Sequence, residues 1–178
     1  MAIQQNQDPC GSHRGLDLGI RSKTWVTPSN YVTLTVHPIA ASFARFHVER
    51  TLARWNLMDL VEPARLIISE LATNAVKVMQ AAYVPKHGEL SEAADSSLFN
   101  CISETFWVGL YRTDRHIVLQ VWDSSRNPPK VAEETDFDSE GGRGLQLVTL
   151  LATEWGYLWP CTGGKIIWVM LALSPSES

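Results

Sequence analysis

The chain has 178 residues, 45% of them hydrophobic. That is enough for one domain with a proper core and too few for two comfortable ones. A formal net charge of -4, a pI near 5.7 and basic residues that never cluster exclude the basic face that broad nucleic-acid binding needs, and the longest apolar run, Ile166 to Leu173, is far short of a membrane span.

Met1 to Pro9 is Gln-rich and polar. It lacks the basic-then-apolar pattern of a signal peptide, so a cytoplasmic location is expected. Residues 1–23 carry Gly11, Gly15 and Gly19 among polar neighbours and read as a flexible arm; residues 24–174 read as the single folded domain. Residues 24–36, rich in Thr, Val and Tyr, predict a strand with a turn at Pro28-Ser29-Asn30. A helix is predicted from Ile39 to Trp55, with Phe43, Phe46, Val48, Leu52 and Trp55 as its apolar face and Arg45, Glu49 and Arg54 outward. A second helix is predicted to start near Pro63 and to bury Ala64, Ile67, Ile68, Leu71, Ala75, Val78, Met79 and Ala82.

Pro85 and Gly88 close that helix, and the polar, acidic stretch 84–104 reads as an inserted loop. Two strands follow, Phe106–Tyr111 and His116–Trp122, joined by a tight turn at Thr113-Asp114-Arg115. Residues 124–140, with Pro128, Pro129 and a run of acidic residues, predict a mobile loop. A helix is then expected from Gly144 to Leu151, followed by a hairpin: a strand at Glu154–Trp159, a turn at Thr162-Gly163-Gly164 and a strand at Lys165–Leu173. Short turns between neighbouring strands imply a mixed, mainly antiparallel sheet. Helices would cover one face, giving an α/β (α+β) two-layer sandwich.

The three cysteines and five histidines are dispersed, with no Cys-x-x-Cys pair and no metal-ligand spacing. The seven tryptophans fall mostly on strands, where aromatics serve as core or cross-strand pairs.

Three segments carry chemistry. In Glu70-Leu71-Ala72-Thr73-Asn74-Ala75, Glu70 and Asn74 are four apart and share a helix face. The Asn74 carboxamide oxygen is a hard, neutral ligand suited to Mg2+. Glu70, one turn away, is placed to act as a general base, and Lys77, three residues on, to add charge to phosphates. Taken alone, the pair reads first as two solvent-facing helix residues, since E-x-x-x-N is a weak pattern. In Val121-Trp122-Asp123-Ser124-Ser125, Asp123 ends an apolar strand; its carboxylate would accept a hydrogen bond from the amine of adenine, where guanine presents an oxygen. Its ordinary fate is to begin a turn. In Glu140-Gly141-Gly142-Arg143-Gly144-Leu145, glycines open a helix, so backbone N–H groups can approach phosphate and Arg143 can add a positive charge; a plain hinge is the alternative. Gly163-Gly164-Lys165 reads mainly as a hairpin turn, with a pocket role for Thr162 or Lys165 secondary.

In this order the segments resemble the GHKL ATPases (the gyrase, Hsp90, histidine kinase and MutL type), and within them the bacterial anti-sigma factor serine/threonine kinases. The resemblance runs from about Val36 to Leu173. ELATNAVKV is similar to the family's N box, VWDSSRNPP to its first glycine box and EGGRGLQLV to its second. GGKIIWVMLAL resembles its closing hairpin, and RTLARWNLMDLVEPARLIISELATNAV its paired N-terminal helices. The resemblance implies a Bergerat fold binding ATP and Mg2+. Asn74 would hold Mg2+, Glu70 would be the catalytic base and Asp123 would read adenine. Lys77, Ser125, Gly141, Gly142, Arg143, Gly144 and Leu145 would complete the nucleotide site, with residues 126–140 as the ATP lid. It also implies a sigma factor and an anti-anti-sigma (antagonist) protein as partners, the latter phosphorylated on a serine or threonine; a homodimer is compatible.

Three departures stand out: Ser125 replaces the usual glycine of the first box, Lys165 stands where many relatives carry threonine, and the 84–104 insertion is long. Two functions therefore compete, a protein serine/threonine kinase and an ATP-binding module that sequesters a partner without turnover. A histidine kinase core would need a helical hairpin with a phosphoacceptor histidine, for which the arm is too short and too Gly-rich. The gyrase, Hsp90 and MutL types need domains that this length does not hold.

Overall fold

A computed structural model of the chain describes residues 3–4, 30–82, 104–129 and 143–174. In chain order the elements are β1 (Ile3–Gln4), β2 (Tyr31–Thr35), α1 (Ala40–Arg54), a 3-10 turn (Met58–Leu60), α2 (Val61–Ala82), β3 (Thr105–Arg112), β4 (His116–Asp123), α3 (Arg143–Leu151), β5 (Glu154–Leu158) and β6 (Lys165–Ala172). They form one sheet in the order β1-β5-β6-β4-β3-β2. Strands β2 to β6 pair antiparallel throughout, and the two residues of β1 run parallel to β5. The result is an α+β two-layer sandwich.

Strand alternation decides what each face does. On β4, Ile117, Leu119 and Val121 are buried in the main core with Ala64, Ile67, Ile68 and Leu71 of α2. Asp123, the last residue of β4, continues this helix-facing series. The even positions point the other way: Val118, Trp168 and Met170 form a second buried cluster, flanked by Tyr111 and Leu158. On that outer face Trp107 and Trp122, directly opposite in the β3–β4 register, stack with ring centroids 6.1 Å apart and planes 5° apart, and Tyr31 meets Trp107 edge-on. Those tryptophans are thus the cross-strand pairs that the sequence suggests.

Helix α2 begins two residues before Pro63, so Pro63 sits in the first turn, where its missing N–H leaves no bond unmade. Most of its expected stripe is buried, with Val78 only partly so. Helix α1 keeps its expected bounds to within a residue and part of its expected face: Val48 and Leu52 are buried and Trp55 packs on the core, but the two phenylalanines do not. Phe43 and Phe46 are 56% and 61% exposed, while Ala40, Ala44, Val48, Thr51 and Leu52 are buried. The inward face is the one with small residues, which let α1 lie close along α2; two phenylalanines there would hold the helices apart. A left-handed Asn56 (φ 58°) ends α1, with the Leu57 N–H bonded to Leu52 O and the Asn56 N–H to Ala53 O. This Schellman closure turns the chain directly into α2.

The expected strand at 24–29, the 1–23 arm apart from Ile3–Gln4, nearly all of the 84–104 loop and residues 130–140 of the expected lid lie outside the described residues. No helix among the described residues is long and apolar enough to cross a membrane.

Candidate functional site

The first cluster forms where α2 touches α3. Glu70 and Asn74 are half-buried, one turn apart, beside the buried Leu71 and Ala75. Lys77, a turn further on, is exposed. Gly144 is the second residue of α3, and its backbone lies against Glu70: an added Cβ would run into Glu70 Oε2 and come within 3.2 Å of Glu70 Cβ. A side chain at position 144 would have to displace the end of the flexible Glu70 side chain, so the closeness of the two residues, not a backbone dihedral, is what a substitution there would disturb. Among the described residues, neither the Glu70 carboxylate nor the Asn74 carboxamide has a hydrogen-bond partner.

Arg143 opens α3, and Gly141 and Gly142 lie outside the described residues. Leu145 is buried in the main core. Only its backbone N–H, in the first turn of α3, is in a position to face a ligand.

The second cluster forms where β4 ends. Asp123 is buried and pairs with Lys165, the two standing directly opposite in the β4–β6 register. The Lys165 ammonium donates to Asp123 Oδ1 at 2.6 Å, and 3% of each side chain is accessible. The Ser125 N–H donates to the same oxygen at 2.9 Å, and the Asn127 N–H to Ser125 Oγ at 3.1 Å. These are turn-forming bonds, so Asp123 does begin a turn. Burial pushes the Asp123 carboxyl above the ordinary carboxylate range, against the downward pull of the Lys165 ammonium and the Ser125 N–H.

Two indole donors hold this corner together: Trp122 Nε1 donates to Gly163 O at 3.0 Å and Trp159 Nε1 to Arg126 O at 2.9 Å. Gly163 and Gly164 both have positive φ, and a Cβ at Gly164 would strike the Asp123 carbonyl. The hairpin tip therefore clasps the chain leaving β4. Ser125 does not take a positive φ, since Asn56 is the only described non-glycine residue that does. A glycine is thus not needed at 125 by the backbone, and the departure there is harmless to the turn.

The expected site residues are gathered in two places, Glu70 and Asn74 with Gly144, and Asp123 with Ser125. Helix α2 packs on both α3 and β4, which ties the two places to one layer boundary. Compared with models of known protein families and with curated proteins, the chain matches none. What sequence reasoning missed is the work of Lys165. In the sequence it reads only as a secondary pocket candidate at the head of an apolar strand, and its partner depends on a register set by the whole β4–β6 pairing.

Proposed function

We propose that the chain takes the Bergerat form of the two-layer sandwich and is an ATP- and Mg2+-binding regulatory protein of the anti-sigma factor kinase type. In this reading it holds a sigma factor and transfers a phosphoryl group to a serine or threonine of an antagonist protein. The observation that carries it is the Glu70–Asn74–Gly144 junction. A carboxylate and a carboxamide stand one turn apart without described partners, at the opening of a helix whose second residue, Gly144, lies directly against that carboxylate. That donor set suits a magnesium–phosphate group: a neutral oxygen for the metal, a base beside it and N–H groups at a helix start.

Mg2+ held at Asn74 would supply charge neutralisation on the phosphates. Glu70 accepts the proton of the acceptor hydroxyl as the new P–O bond forms and the bond to ADP breaks. Asp123 lies at the base end, its Oδ2 outside both described bonds.

Calorimetric titration with Mg-ATP tests the reading. Wild type should bind in a magnesium-dependent way, and Asn74→Ala should abolish that binding while unfolding at nearly the same temperature. A folded wild type that takes up no nucleotide sinks the proposal.

A second reading, sequestration without turnover, is favoured by the Glu70 carboxylate itself. It packs on Gly144 with no described hydrogen bond to orient it as a base. Phosphoryl transfer to the antagonist that is lost in Glu70→Gln would decide for the kinase.

A further inference from the structure

The outer face of the sheet, away from the helices, is closed although no described helix lies on it. Val118, Trp168 and Met170 are 0%, 0% and 8% exposed there, and every described member of their cluster is a strand residue. Helices α1, α2 and α3 bury their apolar residues in the main core, on the other face. The Trp168 indole N–H is buried and has no acceptor among the described residues. On an open face water would serve it; an unpaired buried donor costs about 1–3 kcal/mol. The burial and the unmet donor both call for a covering layer that carries acceptors.

The link from β1 to β2 suits that layer. The two strands form opposite edges of the sheet, and the successive pairings make them run in the same direction. A link between parallel strands crosses one face of their sheet, and such crossovers are right-handed in about 98% of cases. Strands β4 and β5 are also parallel, and α3 links them on the helix side. That crossover travels toward the β1 edge, whereas the β1-to-β2 link travels away from it. Two crossovers of one hand that travel in opposite directions lie on opposite faces. With α3 on the helix side, the rule therefore assigns the β1-to-β2 link to the outer face. The span is five strand spacings, about 24 Å, which about eight extended residues cover. Within the link, Leu16, Leu18 and Ile20 alternate with Asp17 and Gly19, the pattern of an extended segment with one apolar side.

We infer that residues 5–29 dock across the outer face of the sheet, laying Leu16, Leu18 and Ile20 against the Val118–Trp168–Met170 cluster and bringing a carbonyl oxygen within reach of the Trp168 indole. Glycines and polar residues make this stretch read as a free arm; the two sheet edges it joins tie it down. The docked segment closes this face to other proteins. This assignment is independent of the nucleotide reading.

Limited trypsin digestion of the full chain is the test, because the segment carries Arg14, Arg21 and Lys23. Docked, it is cut only when it opens, so cleavage at these residues should be about tenfold or more slower than in the chain unfolded in urea. Met170→Asp should remove that protection. Leu18→Asp should speed hydrogen exchange of the Trp168 indole N–H, identified by its loss in Trp168→Phe, by about tenfold. Circular dichroism checks that each variant is folded; where Met170→Asp is not, Leu18→Asp decides. Cleavage in folded wild type as fast as in the unfolded chain overturns the inference and leaves the face to a second copy or to residues 84–103. A folded Met170→Asp that keeps the protection, or a folded Leu18→Asp with unchanged indole exchange, overturns it as well.

Discussion

Glu70 meets Gly144 where two helices touch, whereas Asp123 meets Lys165 across two strands. At the helical end the functional groups are half-buried, carry no described partner and are separated by contact distance alone. At the strand end the groups are buried, opposite in charge and bonded at 2.6 Å, and two tryptophan donors brace the corner around them. The helical end is thus poised to gain partners, and the strand end already has them. Substitution should therefore disturb mainly ligand binding at the first, and folding as well as ligand binding at the second.

The largest effect is expected at the strand end. Lys165→Met leaves a carboxylate buried without its cation, which costs about 3–5 kcal/mol when the partner of such a pair is removed. Chemical denaturation should show this loss, and the double variant Asp123→Asn/Lys165→Met should recover most of it, because no uncompensated charge remains. A loss below about 1 kcal/mol in the single variant would mean that the pair behaves like an exposed ion pair, and the contrast between the two ends would fail.

A smaller stability effect, with a larger one on binding, is expected for Gly144→Ala. Alanine gains up to about 1 kcal/mol in helix propensity, and the crowding of Glu70 offsets it. Thermal unfolding should move little while Mg-ATP affinity falls at least tenfold. Unchanged affinity would remove the α2–α3 junction from the site.

The smallest effect lies on the outer face, away from both ends. Burial raises Tyr31 and Tyr111 to about 12, with Tyr111 raised further by Tyr31, and the Tyr31 hydroxyl donates to Gln120 Oε1 at 2.9 Å. An unfolded tyrosine titrates near about 10. The folded state therefore holds these protons more tightly. That contribution is complete below about pH 10 and is lost as pH rises through about 12. Denaturation midpoints should fall between pH 9 and pH 11, and less steeply in Tyr31→Phe/Tyr111→Phe. An equal fall in that variant would assign the alkaline loss to other groups.

The fold was largely legible because its signals are periodic and local. The alternation on β3 and β4, the stripe of α2 and the glycine pair of the β5–β6 hairpin each lie within one element, and the structure follows them to within a residue or two. Helix α1 shows where that kind of reasoning stops. Hydrophobicity favours Phe43 and Phe46 as the inward face, but the separation of α1 from α2 admits alanine, and no property of α1 alone states that separation.

The candidate site divides in the same way. That Glu70 and Asn74 share a face follows from helical geometry, and that Asp123 ends a strand and begins a turn follows from its neighbours Ser124 and Ser125. The sequence alone therefore determined the elements, most of their buried faces and the residue types at the site, because each depends on interactions within a few residues. The tertiary structure alone decided that Gly144 abuts Glu70 and that Lys165 neutralises Asp123. Both depend on how separate elements pack, and the Lys165–Asp123 pair joins residues 42 apart in the chain, beyond the reach of any local pattern.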